Sequence, residues 1–164
     1  LIGTGSNPNV AACVVIGKAS APVTILEYAS LSCPHCAGFH EQVYPELKKQ
    51  LIDTGKAKFV FRHYPLNEPA LKAAMLVECN DSAKRGDALS ALFAAQKEWA
   101  FQPDFLVKLK ELGAKQGVKD KAFDACMANK ELEKKVVESR ATGASVLNVE
   151  STPTIFINGE KAKK

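Results

Sequence analysis

Residues Pro22 to Cys36 read Pro-Val-Thr-Ile-Leu-Glu-Tyr-Ala-Ser-Leu-Ser-Cys-Pro-His-Cys, an apolar, β-branched run that leads into two closely spaced thiols. The run Pro22 to Tyr28 predicts a short buried strand. Beyond the thiols, Phe39, Val43, Tyr44, Leu47 and Leu51 recur at roughly the i, i+4, i+8 spacing of an amphipathic helix. Cys33 is therefore expected at or just before a helix start, with Cys36 about one turn further in. At that spacing the two α-carbons fall within the roughly 4.4–6.8 Å that a disulfide accepts. Both redox states are then sterically reachable, which a reversible dithiol switch requires.

Thiol exchange begins with a thiolate, and Cys33, at the exposed helix entrance, is the expected attacker. Unpaired N–H groups and the positive end of the helix dipole stabilise negative charge there. The dipole supplies about 0.3–1 kcal/mol, and up to about 2 when partly buried. Against about 1.4 kcal/mol per pKa unit, that lowers the thiol by roughly one unit at best. A deeper depression needs direct hydrogen bonds or a neighbouring cation, and His35 between the cysteines is the candidate. A stabilised thiolate stabilises the reduced protein and makes the disulfide a better oxidant. Cys36 is the expected resolving thiol. Pro34 fits the first helical turn, where its missing N–H has no partner to lose.

Two other chemistries fit two cysteines at this spacing: an inert structural disulfide, or part of a metal site. Cys33, Cys36 and His40 have a spacing that puts three ligands on one helical face. A zinc site wants a fourth, and the remaining histidine, His63, follows a different strand. Ala37 after Cys36 excludes covalent haem attachment, which needs His there. His40 is read as packing or surface rather than chemistry. No metal and no cofactor are expected.

At 164 residues, 46% hydrophobic and 24% charged, the chain has the length and balance of one soluble domain, or of one domain carrying an insertion. No apolar stretch approaches the roughly 18 residues of a membrane span. The net charge of +4 is mild, and Lys48, Lys49, Lys108, Lys110, Lys134 and Lys135 are interspersed with glutamates. They predict a solvated surface and no nucleic-acid partner. Leu1 to Asn9 lacks an initiator Met and a signal-peptide core, and reads as a processed or recombinant mature end in which no targeting signal is readable.

Five cysteines allow two pairs and one left over. Cys79 and Cys126 each lie in an apolar helical run. Packed helices could bring them into bonding distance, or both could be buried free thiols. A bridge would close a loop worth roughly 4 kcal/mol and imply an oxidising compartment. Cys13, within Val10 to Ile16, sits in a packed strand without an evident partner. Ala57 to Tyr64 predicts a second strand ended by Pro65, and residues from about Glu68 to Ser145 read as helical, punctuated by Gly113 and Gly117. Leu89, Leu92, Phe93 and Gln96 mark one helix face, Phe105, Leu106, Leu109 and Leu112 another, and Leu132, Val136 and Val137 a third. Thr154 to Ile157 are strand formers, Asn158-Gly159 is a strong hairpin signal, and Pro153 fits the start of that strand. The expected class is α/β, with a helical insertion: residues 1–65 and 146–164 as two parts of one domain and 66–145 as the insertion.

Cys33-Pro34-His35-Cys36 after a Leu-Glu-Tyr strand, the helical insertion, and Thr152-Pro-Thr-Ile-Phe-Ile-Asn-Gly159 together resemble a DsbA-type thiol–disulfide oxidoreductase over about Val14 to Glu160. The resemblance implies a thioredoxin-like fold interrupted by an inserted all-helical domain and a periplasmic setting. It also implies donation of a disulfide to reduced, unfolded secreted proteins. By similarity Cys33 is the nucleophile, Cys36 the resolving thiol and Pro153 a cis-proline facing them. The Thr152 backbone would pair with an extended substrate. Glu27 matches a buried acid with a proton-shuttling role towards Cys36, and a cysteine pair in the insertion favours the Cys79–Cys126 bridge. A membrane-bound reoxidising partner of the DsbB or related type and a monomeric state are also implied. The same fold working as a reductase or isomerase is the alternative, and a metal-binding module using Cys33, Cys36 and His40 a more distant one. A thioredoxin fold continues past Asn158-Gly159 with a return strand and a closing helix. Only residues 160–164 remain here, so the chain reads as incomplete at its C-terminal edge, or as a shortened fold.

Overall fold

Strands covered on both faces are buried at nearly every position, and two segments are. In the computed structural model, which describes residues 12–163, these are β2 (Val23–Ala29) and β3 (Ala57–His63). They pair in parallel from Val23 opposite Ala57 to Ala29 opposite His63. β1 (Cys13–Ile16) lies antiparallel on the outer edge of β3, β4 (Thr154–Ile157) antiparallel on β2, and β5 (Glu160–Lys161) antiparallel on β4. The sheet order is β1-β3-β2-β4-β5, which makes β2, the strand feeding the cysteines, the central one. The strand predicted over Val10 to Ile16 falls partly outside the described residues, and its described part is β1.

Alternation along β2 sorts its side chains between two layers. Ile25 and Ala29 join Phe59, Phe61 and Val14 under the helices that carry the site. Leu26 and Tyr28 join Val60, Tyr64 and Phe156 on the opposite face. There α8 (Lys130–Val146) approaches closely, because a Cβ on Gly143 would lie 2.7 Å from the Tyr28 ring.

The helix after the cysteines is shorter than its apolar spacing predicts. α1 spans Pro34–Gln42 and ends at Val43, and α2 (Tyr44–Leu47) restarts at once. Pro45 accounts for the break, since it lacks the N–H that would bond the Glu41 carbonyl, and it sits instead in the first turn of α2. Val43, placed by its spacing on the buried face, is 46% exposed.

Between β3 and β4 the chain forms α3 (Glu68–Glu78), α4 (Arg85–Ala94), α5 (Gln96–Trp99), α6 (Phe105–Lys115), α7 (Asp120–Met127) and α8. Asn67 and Asn129 cap α3 and α8 with side-chain oxygens on Ala70 N–H (3.0 Å) and Leu132 N–H (3.1 Å). Gly113 does not end a helix: it lies within α6, where an added Cβ would press on Leu76 at 3.1 Å. Gly117, at φ +98°, is the residue that turns the chain out. Leu106 and Val137, read as face-marking, stand exposed. Cys79 and Cys126 are bonded, joining the end of α3 to α7 with α-carbons 6.2 Å apart. A return strand does follow Asn158-Gly159, two residues long, and the turn residues take φ +48° and +84° as a tight hairpin requires. Among the described residues no helix is long and apolar enough to cross a membrane.

Candidate active site

The chain leaves β2 through Ser30, Leu31 and Ser32, all buried, and turns into α1 at Cys33. Cys33 is the N-cap: its backbone is extended (φ −83°, ψ 119°) and its sulfur accepts the Cys36 N–H at 3.3 Å. A sulfur thus takes the place of the usual capping oxygen. Pro34 occupies the first helical turn. Cys33 keeps 5% of its surface and Cys36 none, so the expected attacker is far less open than a helix entrance implies, although it remains the outer of the two. Pro34 and His35 are the exposed members of the motif.

Two segments distant in sequence complete the site. The loop before β4 brings the Thr152 carbonyl to 3.7 Å from the Cys33 sulfur, and the Thr152–Pro153 peptide is cis. From the insertion, the Gln96 side-chain amide donates to the carbonyls of Leu31 (2.8 Å) and Cys33 (2.9 Å). The Leu31 carbonyl lies ahead of the helix ladder and gains its donor from Gln96, while the Cys33 carbonyl shares Gln96 with the Ala37 N–H of α1. In the sequence Gln96 reads only as part of a helix face, because nothing local links it to the thiols. A groove of about 510 Å³ runs past the site, lined by His35, Thr152, Pro153, Ile155 and Lys161 among others.

The two sulfurs are driven apart in acidity. The Cys33 thiol falls from 9.0 to about 5, first through a hydrogen bond from the Cys36 thiol. Burial opposes this, while the Thr152 side chain and the N–H groups of Cys36 and His35 add to it. Direct hydrogen bonds thus supply the depression that a helix dipole alone cannot, and His35 contributes through its main chain. Cys36 is pushed up, chiefly by burial, then by its hydrogen bond to Cys33 and the negative charge there.

Below the thiols, Glu27 on β2 is completely buried. Its Oε1 lies 2.7 Å from His40 Nε2, and His40 stacks between Phe93 (4.4 Å) and Tyr44 (4.8 Å). Burial raises the Glu27 carboxyl, the hydrogen bond and charge of His40 draw it down, and the charge at Cys33 raises it further. His40 is therefore committed to Glu27, which removes it from the ligand set Cys33, Cys36 and His40. Among the described residues no group of three or more His, Cys, Asp or Glu is arranged to hold a metal. The i, i+4 relation of Cys36 and His40 was the available signal that both face inward. His63, at the end of β3, pairs with Glu78 at 3.3 Å. Cys13 is a free, half-buried thiol that burial pushes up.

The chain matches the family model described as thioredoxin over residues 10–164. A putative protein-disulfide oxidoreductase of Rickettsia felis is 30% identical across 89% of this chain and 53% of that protein. Disulfide bond formation protein D of Bacillus subtilis is 29% identical across 95% of this chain and 72% of its own length. The chain spans about half the length of the Rickettsia relatives it matches. The crystal structure of Wolbachia pipientis alpha-DsbA1 superposes with a TM-score of 0.85 at 35% identity, over 92% of this chain and 75% of that one. The chain thus belongs to the thioredoxin family, as a member of the DsbA type.

Proposed function

We propose that this protein donates the Cys33–Cys36 disulfide to reduced, unfolded secreted proteins. The opposite displacement of the two thiol acidities carries this reading. A Cys33 thiol held at about 5 is a good leaving group and a charged product at neutral pH, while Cys36 stays protonated. Both features favour the reduced form and so make the disulfide oxidising. In the first half-reaction a substrate thiolate attacks the Cys33 sulfur and Cys36 departs. In the second, another substrate thiolate attacks the substrate sulfur of the mixed disulfide and Cys33 departs as thiolate. The Thr152 main chain, beside Cys33 and next to Pro153, takes the extended substrate by strand addition along the groove. Glu27 supplies the proton that Cys36 needs.

The Cys79–Cys126 bridge favours an oxidising compartment, and the proposed setting is the periplasm, with a membrane-bound partner withdrawing the electrons. The test is the equilibrium of the Cys33/Cys36 couple against glutathione. An oxidising potential supports donation, and a strongly reducing one moves the protein to reductase work on the same fold. Cys33→Ala should abolish oxidation of a reduced substrate protein, and retained activity would refute the nucleophile assignment.

A further inference from the structure

Disulfide donation leaves a proton to account for. The substrate dithiol loses two electrons and two protons, and the cysteine pair gains two electrons. Cys33 departs as thiolate, so one proton ends on Cys36 and one goes to solvent. Cys36 has no exposed surface, so its proton must travel inward during donation and outward during recharging.

Glu27 alone does not open that path, since it too is fully buried. His40 touches both sides of the barrier. Its Nε2 holds Glu27 Oε1 at 2.7 Å, and its ring also lines a cleft of about 130 Å³ between α1 and α4, together with Ala37, Glu41, Ser90, Phe93 and Ala94. That volume has room for several waters. Elsewhere the ring is enclosed by Phe93 and Tyr44 on its faces and by Phe39, Phe59 and Phe61 edge-on. Glu27 Oε2 and His40 Nδ1 are buried polar atoms with no protein partner, which leaves each side chain a free site for receiving or passing a proton. Imidazole exchanges protons at either nitrogen, so it can accept at one and deliver from the other.

We infer that His40 is a proton-relay residue that connects Glu27, and through it Cys36, to solvent by way of the α1–α4 cleft. This rests on the proposed exchange chemistry at Cys33–Cys36. The titratable groups against His40 are Glu27 on β2 and Tyr44 on α2, with Glu41 of α1 lining the same cleft; Asp53 and Asp87 act on Tyr44, and β3 presents the rings of Phe59 and Phe61.

Two variants of the whole chain test the relay, and a third, His40→Ala, tests its repair by added imidazole. His40→Gln keeps an amide for Glu27 but cannot relay a proton. Ser90→Phe, on the exposed side of α4, plugs the cleft and leaves the pair intact. Each is oxidised and mixed with a reduced model peptide across pH, and the rate of Cys36 release is followed. Both variants should slow exchange near neutrality by roughly a hundredfold, the lower end of acid–base contributions, with the Cys33 thiolate titration unchanged. Added imidazole should restore His40→Ala and leave Ser90→Phe slow. Wild-type rates in either His40→Gln or Ser90→Phe overturn the relay, as does a loss in His40→Ala that imidazole fails to repair. Should His40→Gln not fold, Ser90→Phe decides alone. An inert wild-type protein would instead overturn the exchange reading itself.

Discussion

Cys33 is the group whose ionisation most distinguishes the reduced protein from the oxidised one, and that difference has a defined pH signature. In the folded, reduced protein the thiol sits at about 5, against 9.0 for the ordinary group. A depressed acidity contributes stability that is fully present above the unfolded value and lost as pH falls through the folded one. At neutrality the unfolded chain still holds this proton and the folded chain has released it, so the reduced form gains stability as pH rises. Two pH units of that linkage, from about pH 5 to about pH 7, integrate to about 2.3 kcal/mol at 1.36 kcal/mol per unit. Cys33 keeps a little exposed surface, through which solvent screens the charge, so about 1–2 kcal/mol is the expected gain.

Glu27 pulls the other way, because a raised carboxyl stabilises at low pH and loses that contribution as pH rises through its folded value. Glu27 is present in both redox forms, however, and largely cancels in their difference. The assay is therefore urea unfolding of the reduced and the oxidised protein in parallel at several pH values. The reduced-minus-oxidised stability should rise with pH across this window. A flat difference would refute the thiolate assignment and the oxidising character derived from it.

Replacing Gln96 by Leu leaves the Leu31 carbonyl without its Gln96 donor and the Cys33 carbonyl with Ala37 N–H alone, which should cost about 1–3 kcal/mol in denaturant unfolding and raise the Cys33 titration as the loop loosens. Unchanged stability would remove Gln96 from the site's support. Opening the Cys79–Cys126 bridge with paired alanines frees a segment of 47 residues, worth up to about 4 kcal/mol of loop closure, without touching exchange at Cys33. A loss of exchange at the same stability would show the insertion acting on the thiols directly. His35→Ala keeps the N–H that reaches the Cys33 sulfur and removes only an exposed ring, so the thiol should rise by about one unit at most, read by thiolate absorbance. A rise of three units or more would put the imidazole charge ahead of the hydrogen bonds.

The parts of the site legible in the sequence are those fixed by short-range rules. Strand-to-helix handover, a capping residue and a proline at the first turn all act within a few residues, so Cys33, Pro34 and Cys36 could be placed from spacing. Asn158-Gly159 likewise dictates its hairpin locally. The parts that were not legible depend on which elements the fold brings together. Gln96 reaches across 63 residues to the Cys33 carbonyl, and nothing in its own helix records that acceptor. Glu27 could be named only through the family resemblance, because on its own it reads as any polar residue in a strand until β3, α1 and β4 cover it. Val43 failed for the opposite reason: its spacing promised burial, but one missing N–H at Pro45 broke the helix that spacing assumed.

These long-range contributions converge on a single constraint. A thiolate at Cys33 must be cheap to form, yet the carbonyls of the strand-to-helix turn carry partial negative charge close by. The fold resolves this by engaging them: Gln96 donates to those of Leu31 and Cys33, and α1 takes up the Cys33 carbonyl again through Ala37 N–H at 3.1 Å. What faces the sulfur is then mostly hydrogen-bond donors, the Cys36 thiol and the N–H groups of His35 and Cys36. Thr152 is the exception, since among the described residues its carbonyl is the acceptor that the Cys33 sulfur meets, at 3.7 Å, while its side chain donates. That carbonyl comes from the loop assigned to substrate, so a bound peptide that draws the Thr152 carbonyl into strand pairing would remove the last acceptor as Cys33 becomes the leaving thiolate. Substrate engagement and thiolate release are on this geometry coupled through one peptide group, and binding an extended peptide without cysteine should by itself lower the Cys33 titration. An unchanged titration in the presence of a saturating peptide would break that coupling.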